Sequence, residues 1–240
     1  MSGDIWDSHA GWWQRQFTDG VDPEYQDQIL PLVDDLTLGF DKILDVGCGE
    51  GQVTRSLSTK PSQVVGVDPS WRQVLKAQER SSGETYVQAS AALLPFETEA
   101  FDAAIACLVF EHITEMSEAI AEVARILKPG GRFVFLLNHP LLQTPGSGWV
   151  EDYTSETPSQ YWRIGQYLVE QETIEEVELG VKISFVHRPL SVYLNSLAES
   201  GLILKRMLEP APPESFLERN DAYRSARNIP RLLVLVCEKQ

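Results

Sequence analysis

The stretch Ile43-Leu44-Asp45-Val46-Gly47-Cys48-Gly49-Glu50-Gly51 decides the fold. A short apolar run ends near an acidic residue and enters a turn with glycine at every second position. A parallel strand that feeds a helix through such a turn brings bare backbone close to a ligand. A second apolar run, Val64-Val65-Gly66-Val67-Asp68, also closes on a carboxylate. Together the two strand ends suit an adenosine-type ligand lying across them, with Asp68 on the ribose hydroxyls. Asp68-Pro69-Ser70 also reads as a helix start, so an N-cap role competes for Asp68.

The glycine spacing sets the kind of ligand. A dinucleotide fingerprint needs G-x-G-x-x-G. Gly47, Gly49 and Gly51 give G-x-G-x-G, with Asp45 two residues before the first glycine. A pyrophosphate on a helix N-terminus is repelled by such a carboxylate. S-adenosylmethionine (SAM) carries no phosphate, and its amino-acid tail ends in a cationic amine that suits Asp45. Gly47 and Gly49 let the loop approach the tail, and Gly51 permits close packing where the next helix begins.

These residues resemble the class I SAM-dependent methyltransferases of the small-molecule, UbiE-like kind (methyltransferase type 11). The matching blocks are Ile43–Gly51, Val64–Pro69, Tyr86–Phe96, Phe101–Ile113 and Glu122–Phe135. The resemblance implies an α/β fold: a doubly wound, mostly parallel, seven-stranded sheet. It also implies an N-terminal helical cover over residues 1–37. The insertion 139–187 leaves the sheet after the fifth strand, at the edge where ligands bind, and reads as a lid and substrate wall or as a partner-binding surface or dimer arm, all within one domain, 1–240. Pro69 joins Asp68 in the implied cofactor set. The family's usual adenine-facing Asp is replaced by Ser90, whose hydroxyl accepts more weakly or caps a turn; Ala91 can offer its backbone N–H. Backbone carbonyl oxygen near Cys107 is placed to hold the amine of SAM. Tyr25 and Gln28, from the cover, are candidates for the methionine part.

Composition excludes other classes. The formal net charge is −15, and such a field repels phosphate backbones, so nucleic acid is disfavoured as a substrate. The nearest basic grouping, Arg219, Arg224, Arg227 and Arg231, reads as a solvated helix face. No apolar run approaches a membrane span. Met1-Ser2-Gly3-Asp4-Ile5-Trp6 lacks the regions of a signal peptide, and Cys48, Cys107 and Cys237 are scattered; both predict a reducing cytoplasm. No paired His, Asp or Glu spacing points to a metal.

The pattern predicts helices over 4–18 and 22–37, then strands at 43–46, 63–67, 85–88, 102–107 and 132–138. Helices alternate with them near 51–59, 70–80 and 115–127. Residues 139–187 break the alternation with prolines, glycines and aromatics, and predict a hairpin from 166–177 and 181–186 turning at Leu179-Gly180. A helix at 190–200, a strand at 202–208, a helix over 214–227 and a strand at 232–237 follow, the last two strands pairing antiparallel.

Methyl transfer is an in-line displacement from an activated sulfonium, so the protein supplies alignment, desolvation and sometimes a base. Histidine is the natural base near neutral pH. His139 directly follows the fifth strand, and His187 closes the insertion. Either can serve as base or as a hydrogen-bonded structural histidine. His112, in Glu111-His112, reads as a helix-start residue near the pocket. The aromatic residues of the N-terminal helix and the insertion predict a pocket for a small, planar or lipophilic methyl acceptor. Three other readings compete. One is a SAM-binding protein without methyltransferase activity, another a tRNA or RNA methyltransferase, and the third a nicotinamide-dependent oxidoreductase.

Overall fold

The computed structural model describes residues 2–17, 21–58, 63–154, 159–219 and 225–240. Its centre is a seven-stranded sheet in the order β10-β11-β5-β4-β1-β2-β3. The strands are β1 (Lys42–Val46), β2 (Gln63–Asp68), β3 (Thr85–Gln88), β4 (Phe101–Cys107), β5 (Leu127–Asn138), β10 (Leu202–Leu208) and β11 (Leu232–Lys239). β1 pairs parallel with β2 and β4, β2 with β3, and β4 with β5. Only β11 runs against the rest, antiparallel to both β5 and β10. The expected doubly wound sheet is therefore present. β1 and β4 flank the point where strand order reverses, and in such sheets ligands bind outside that crevice.

Both faces of the sheet are covered, which explains the continuous apolar runs. On one face Leu44, Val67 and Phe135 pack with α5 (Met116–Ile126) and α6 (Leu190–Glu199). On the other, Ile43, Ile105 and Val134 pack with α3 (Gln52–Leu57) and with Ile29 and Val33 of the N-terminal segment. α4 (Trp71–Arg80) closes the β3 side through Val74 and Ala77 against Tyr86.

The elements depart from expectation in three places. Residues 22–37 are not one α-helix: a π-turn spans Tyr25–Ile29 and α2 covers Leu30–Leu36. Pro31 lacks an N–H, so the ordinary ladder breaks there, and Leu30 N–H reaches back five residues to Tyr25 O. Residues 148–163 hold an unforeseen hairpin, β6 (Gly148–Asp152) against β7 (Ser159–Arg163). Trp149 faces Trp162 in the register, ring centroids 5.4 Å apart and edge to face, a pairing that stabilises two-stranded ribbons. The expected helix over 214–227 is one turn, α7 (Glu214–Leu217), with a 3₁₀ turn at Ser225–Asn228. After buried Phe216 and Leu217, Glu218 and Arg219 continue no buried stripe, and 220–224 lie outside the described residues. Thr18, Thr59, Pro158 and Arg224 lie outside the described residues.

The second insertion hairpin is present as β8 (Gln171–Glu178) and β9 (Val181–His187). α1 (Ser2–Phe17) lies across β9 and α4. Among the described residues no helix is long and apolar enough to cross a membrane.

Candidate functional site

The floor of the site is the turn after β1. Gly47 has φ +73°, and a Cβ there would meet both Val109 methyls at 2.5 Å. Gly47 and Cys48 donate their N–H groups to Val67 O at 2.7 and 3.0 Å, which stitches the turn to β2. Gly51, at φ +86°, begins α3 with Tyr86 Oη 2.5 Å from where a Cβ would stand. Only glycine permits these approaches.

Two carboxylates close the strands. Asp45 is 1% exposed and accepts from Thr54 Oγ1 at 2.6 Å. Asp68 accepts from Gly49 N–H on Oδ2 at 2.9 Å and from Ser70 N–H on Oδ1 at 2.8 Å. Each Asp68 oxygen thus keeps acceptor capacity for one more donor. The N-cap of α4 is Ser70, whose Oγ accepts from Gln73 N–H at 3.3 Å, so Asp68 is not that cap. Burial pushes the Asp45 carboxyl up to about 6, against the pull of the Thr54 hydroxyl and aided by the nearby Asp68. Burial also pushes Asp68 up to about 6, against the Ser70 and Gly49 N–H groups. Both carboxylates are desolvated, and both gain from a cation or hydroxyl donors.

A single crevice joins these groups. Tyr25, Asp45, Gly47, Gly49, Asp68, Pro69, Ser90, Ala91 and Cys107 all line it; Gly51 sits behind it. Among the described residues no lysine or arginine lines it, whereas Asp45, Glu50, Asp68 and Glu115 do. Glu50 is held by Arg55 at 2.9 Å and Arg80 at 2.6 Å. Ser90 Oγ accepts from Ala92 N–H at 3.2 Å, so it does cap its turn while lining the crevice. Arg125 clasps the following loop through Phe96 O and Leu94 O at 2.8 and 3.1 Å. Burial pushes the Cys107 thiol far up, which leaves it no thiolate character.

One lining residue with unmet hydrogen-bonding groups was not foreseen. Gln52 follows the last glycine directly, and both polar atoms of its amide are buried without a partner among the described residues. Such a group calls for a ligand or water. Gln28 does not line the crevice; its Nε2 donates to Ala211 O at 2.6 Å.

The roof is aromatic and comes from α1 alone: Trp6, Trp13 and Phe17. Trp13 lies 5.6 Å from Trp6 and 4.3 Å from Phe17. Trp12 packs behind them and donates to Glu178. Asp7 Oδ1 accepts from Ser70 Oγ at 2.5 Å and from Arg72 N–H at 3.1 Å, so α1 is latched to the start of α4. Gln14 adds a hydrogen bond to Gln73 at 2.8 Å. The aromatic residues expected from the insertion do not line the crevice, and neither does any other described residue of 139–187.

Neither histidine singled out as a base reaches the crevice. His139 is 3% exposed, accepts Leu141 N–H on Nδ1 at 3.2 Å, and meets Glu209 through Nε2 at 2.9 Å. Both ring nitrogens are engaged. His187 directs Nε2 at Tyr167 O, 2.8 Å away, which fixes the insertion. His112 lines the crevice instead, with Nδ1 2.8 Å from Ser184 O. The expected Arg219, Arg227 and Arg231 grouping is dispersed into pairs with Asp22, Glu214 and Glu24.

Residues 44–135 match the family model described as "Methyltransferase domain". A malonyl-[acyl-carrier protein] O-methyltransferase of Salmonella typhimurium is 30% identical over 96 residues, covering 40% of this chain and 38% of the relative. An O-methyltransferase, cnsE, of Penicillium expansum is 31% identical over 156 residues, covering 57% and 54%. The chain thus spans roughly half or less of the length of these two curated relatives. A SAM-dependent methyltransferase structure from Mesorhizobium loti superposes with TM-score 0.73 at 26% identity, covering 87% of this chain and 96% of that one.

Proposed function

We propose that the chain is a class I SAM-dependent methyltransferase and that it transfers the methyl group of SAM to a small-molecule acceptor. One observation carries the ligand assignment: two desolvated carboxylates face a crevice that, among the described residues, no lysine or arginine lines. Such a lining favours a cation with hydroxyl groups and opposes a pyrophosphate. The nicotinamide reading therefore loses its main support.

The residues fit SAM by their own unmet needs. Asp68 has acceptor capacity on both oxygens for two vicinal ribose hydroxyls. Asp45 and the turn at Gly47 and Gly49 would take the amino-acid tail, with the unpartnered Gln52 amide beside them. Ser90 and Ala91 would border the base, with Pro69 beside Asp68 and Tyr25 and Cys107 toward the tail. When bound, SAM supplies an electrophilic methyl group. The protein holds the donor, excludes water beneath α1 and aligns the acceptor.

In this reading residues 1–37 are the cover and 139–187 back the acceptor side, all within the one domain 1–240. The acidic charge supports a small acceptor over a nucleic acid. Three buried, unpaired cysteines support a reducing cytoplasm. Titration calorimetry with SAM, S-adenosylhomocysteine and NAD tests the assignment. Binding of both sulfur nucleosides and not of NAD is expected; NAD binding alone would refute it.

A further inference from the structure

We propose that His112 is the proton acceptor of the reaction and that the methyl acceptor is a planar hydroxyl compound, a phenol or an enol. This rests on the methyltransferase reading above.

A neutral imidazole carries one N–H. The partner of His112 Nδ1 is the carbonyl oxygen of Ser184, 2.8 Å away, and a carbonyl only accepts. The proton is therefore on Nδ1, and Nε2 carries a lone pair. Among the described residues nothing bonds to that second nitrogen, and the side chain lines the crevice.

The seat is built by the end of the insertion. Phe185 stands 4.7 Å from the imidazole, centroid to centroid, and Trp6 stands 4.9 Å away, edge on. Arg188, 5% exposed, donates to the carbonyls of Phe110, Ile113 and Thr114 at 3.2, 2.7 and 3.0 Å. Those carbonyls bracket His112 in the chain, so the guanidinium fixes its turn. No described residue of the insertion lines the crevice, yet residues 184–188 hold the one imidazole among the described residues that does.

Burial lowers the His112 pKa, which keeps the ring neutral near pH 7. Opposing this are Glu111 of its own turn, Glu175 of β8 and the Ser184 carbonyl of β9. Glu115 stands on the crevice lining, and Asp7 of α1 is turned to Ser70 and Arg72. A neutral imidazole so placed can take the proton of a hydroxyl as its oxygen attacks, and a phenol or enol gives that proton up most readily. Trp6, Trp13 and Phe17 line the same crevice, and a wall of aromatic rings favours a planar partner. The acceptor's O–H proton goes to Nε2, and the oxygen forms its new bond to the methyl carbon. The electron pair of the broken C–S bond stays on sulfur as a neutral thioether, and the imidazolium then returns its proton to water.

The test uses the whole chain, SAM shown to bind by calorimetry, and 4-nitrophenol, catechol and 4-methylphenol as acceptors. His112→Asn keeps an N–H for Ser184 O and removes the base; His112→Gln is the second variant, and thermal melting checks both folds. In assays at about pH 8, loss of kcat/KM by about 10²-fold is expected for 4-methylphenol, against a few-fold at most for 4-nitrophenol, which is largely ionised there. Nitrogen NMR of the wild-type ring should show Nδ1 protonated and Nε2 bare at pH 7. Equal losses for all three phenols, or a protonated Nε2, would overturn the base. A wild-type chain that binds SAM and methylates none of them would overturn the acceptor class. Failure to bind SAM would instead defeat the underlying reading.

Discussion

The floor and the roof of the crevice are built on different principles. The floor is backbone: strand ends, glycines in left-handed conformations and two carboxylates, all held by bonds between neighbouring strands. The roof is side chains: three aromatic residues on a helix tied down by Asp7, Gln14 and Trp12. A floor of this kind is preformed and fixes one ligand. A roof of this kind yields at modest cost, as a cover over a ligand that must enter and leave must do. The difference predicts that floor changes show in ligand affinity and roof changes in local opening.

The largest effect is expected at Gly47. Gly47→Ala forces a side chain into a positive φ and against Val109, so S-adenosylhomocysteine binding should fall below detection by calorimetry while α1 stays in place. Asp68→Ala should weaken the same binding by about 1.5–3 kcal/mol through loss of hydrogen bonds to a charged group. Unchanged affinity would remove Asp68 from the site.

The pH dependence has a definite sign. Asp45 and Asp68 titrate near 6 in the ligand-free chain, against 3.8 ordinarily. Raised values mean the native state holds these protons more tightly than the unfolded one. Their contribution to ligand-free stability is therefore full below about pH 4 and is lost as pH rises through about 6. A ligand that needs both ionised binds in the opposite sense. Affinity should rise between pH 5 and 7, by about tenfold for each carboxylate that must lose its proton, and then level. Calorimetry across that range checks it, and an affinity that falls with pH would separate the ligand from these carboxylates.

Asp7→Ala tests the roof. It removes two hydrogen bonds at the start of α4, an effect of about 1 kcal/mol. Hydrogen exchange in α1 should quicken while S-adenosylhomocysteine affinity changes less than in Asp68→Ala. The smallest effect on turnover is expected from His139→Asn, since that ring is engaged at both nitrogens away from the crevice. A collapse of turnover with normal ligand binding would restore His139 as a reacting group.

The same contrast explains what the sequence could tell. Strand, turn and carboxylate are contiguous, so Asp45 and the glycines are legible in nine residues, and Asp68 repeats the pattern one strand on. The π-turn that sets Tyr25 depends on a missing N–H at Pro31, a signal that was in the sequence. His112 depends on Ser184, 72 residues away, and no local pattern announces such a contact. His139 stood out because it follows a strand, yet its ring turns to Glu209, 70 residues on. Gln52 was adjacent to the motif, but only its unpartnered amide marks it as part of the floor.

The most direct test is a crystal structure of the S-adenosylhomocysteine complex. The account predicts both ribose hydroxyls on the Asp68 carboxylate, the amino-acid tail over Gly47 and Gly49 toward Asp45, and the sulfur beneath the aromatic residues of α1. A ribose bound away from Asp68, or a nucleoside lying outside the crevice, would contradict it.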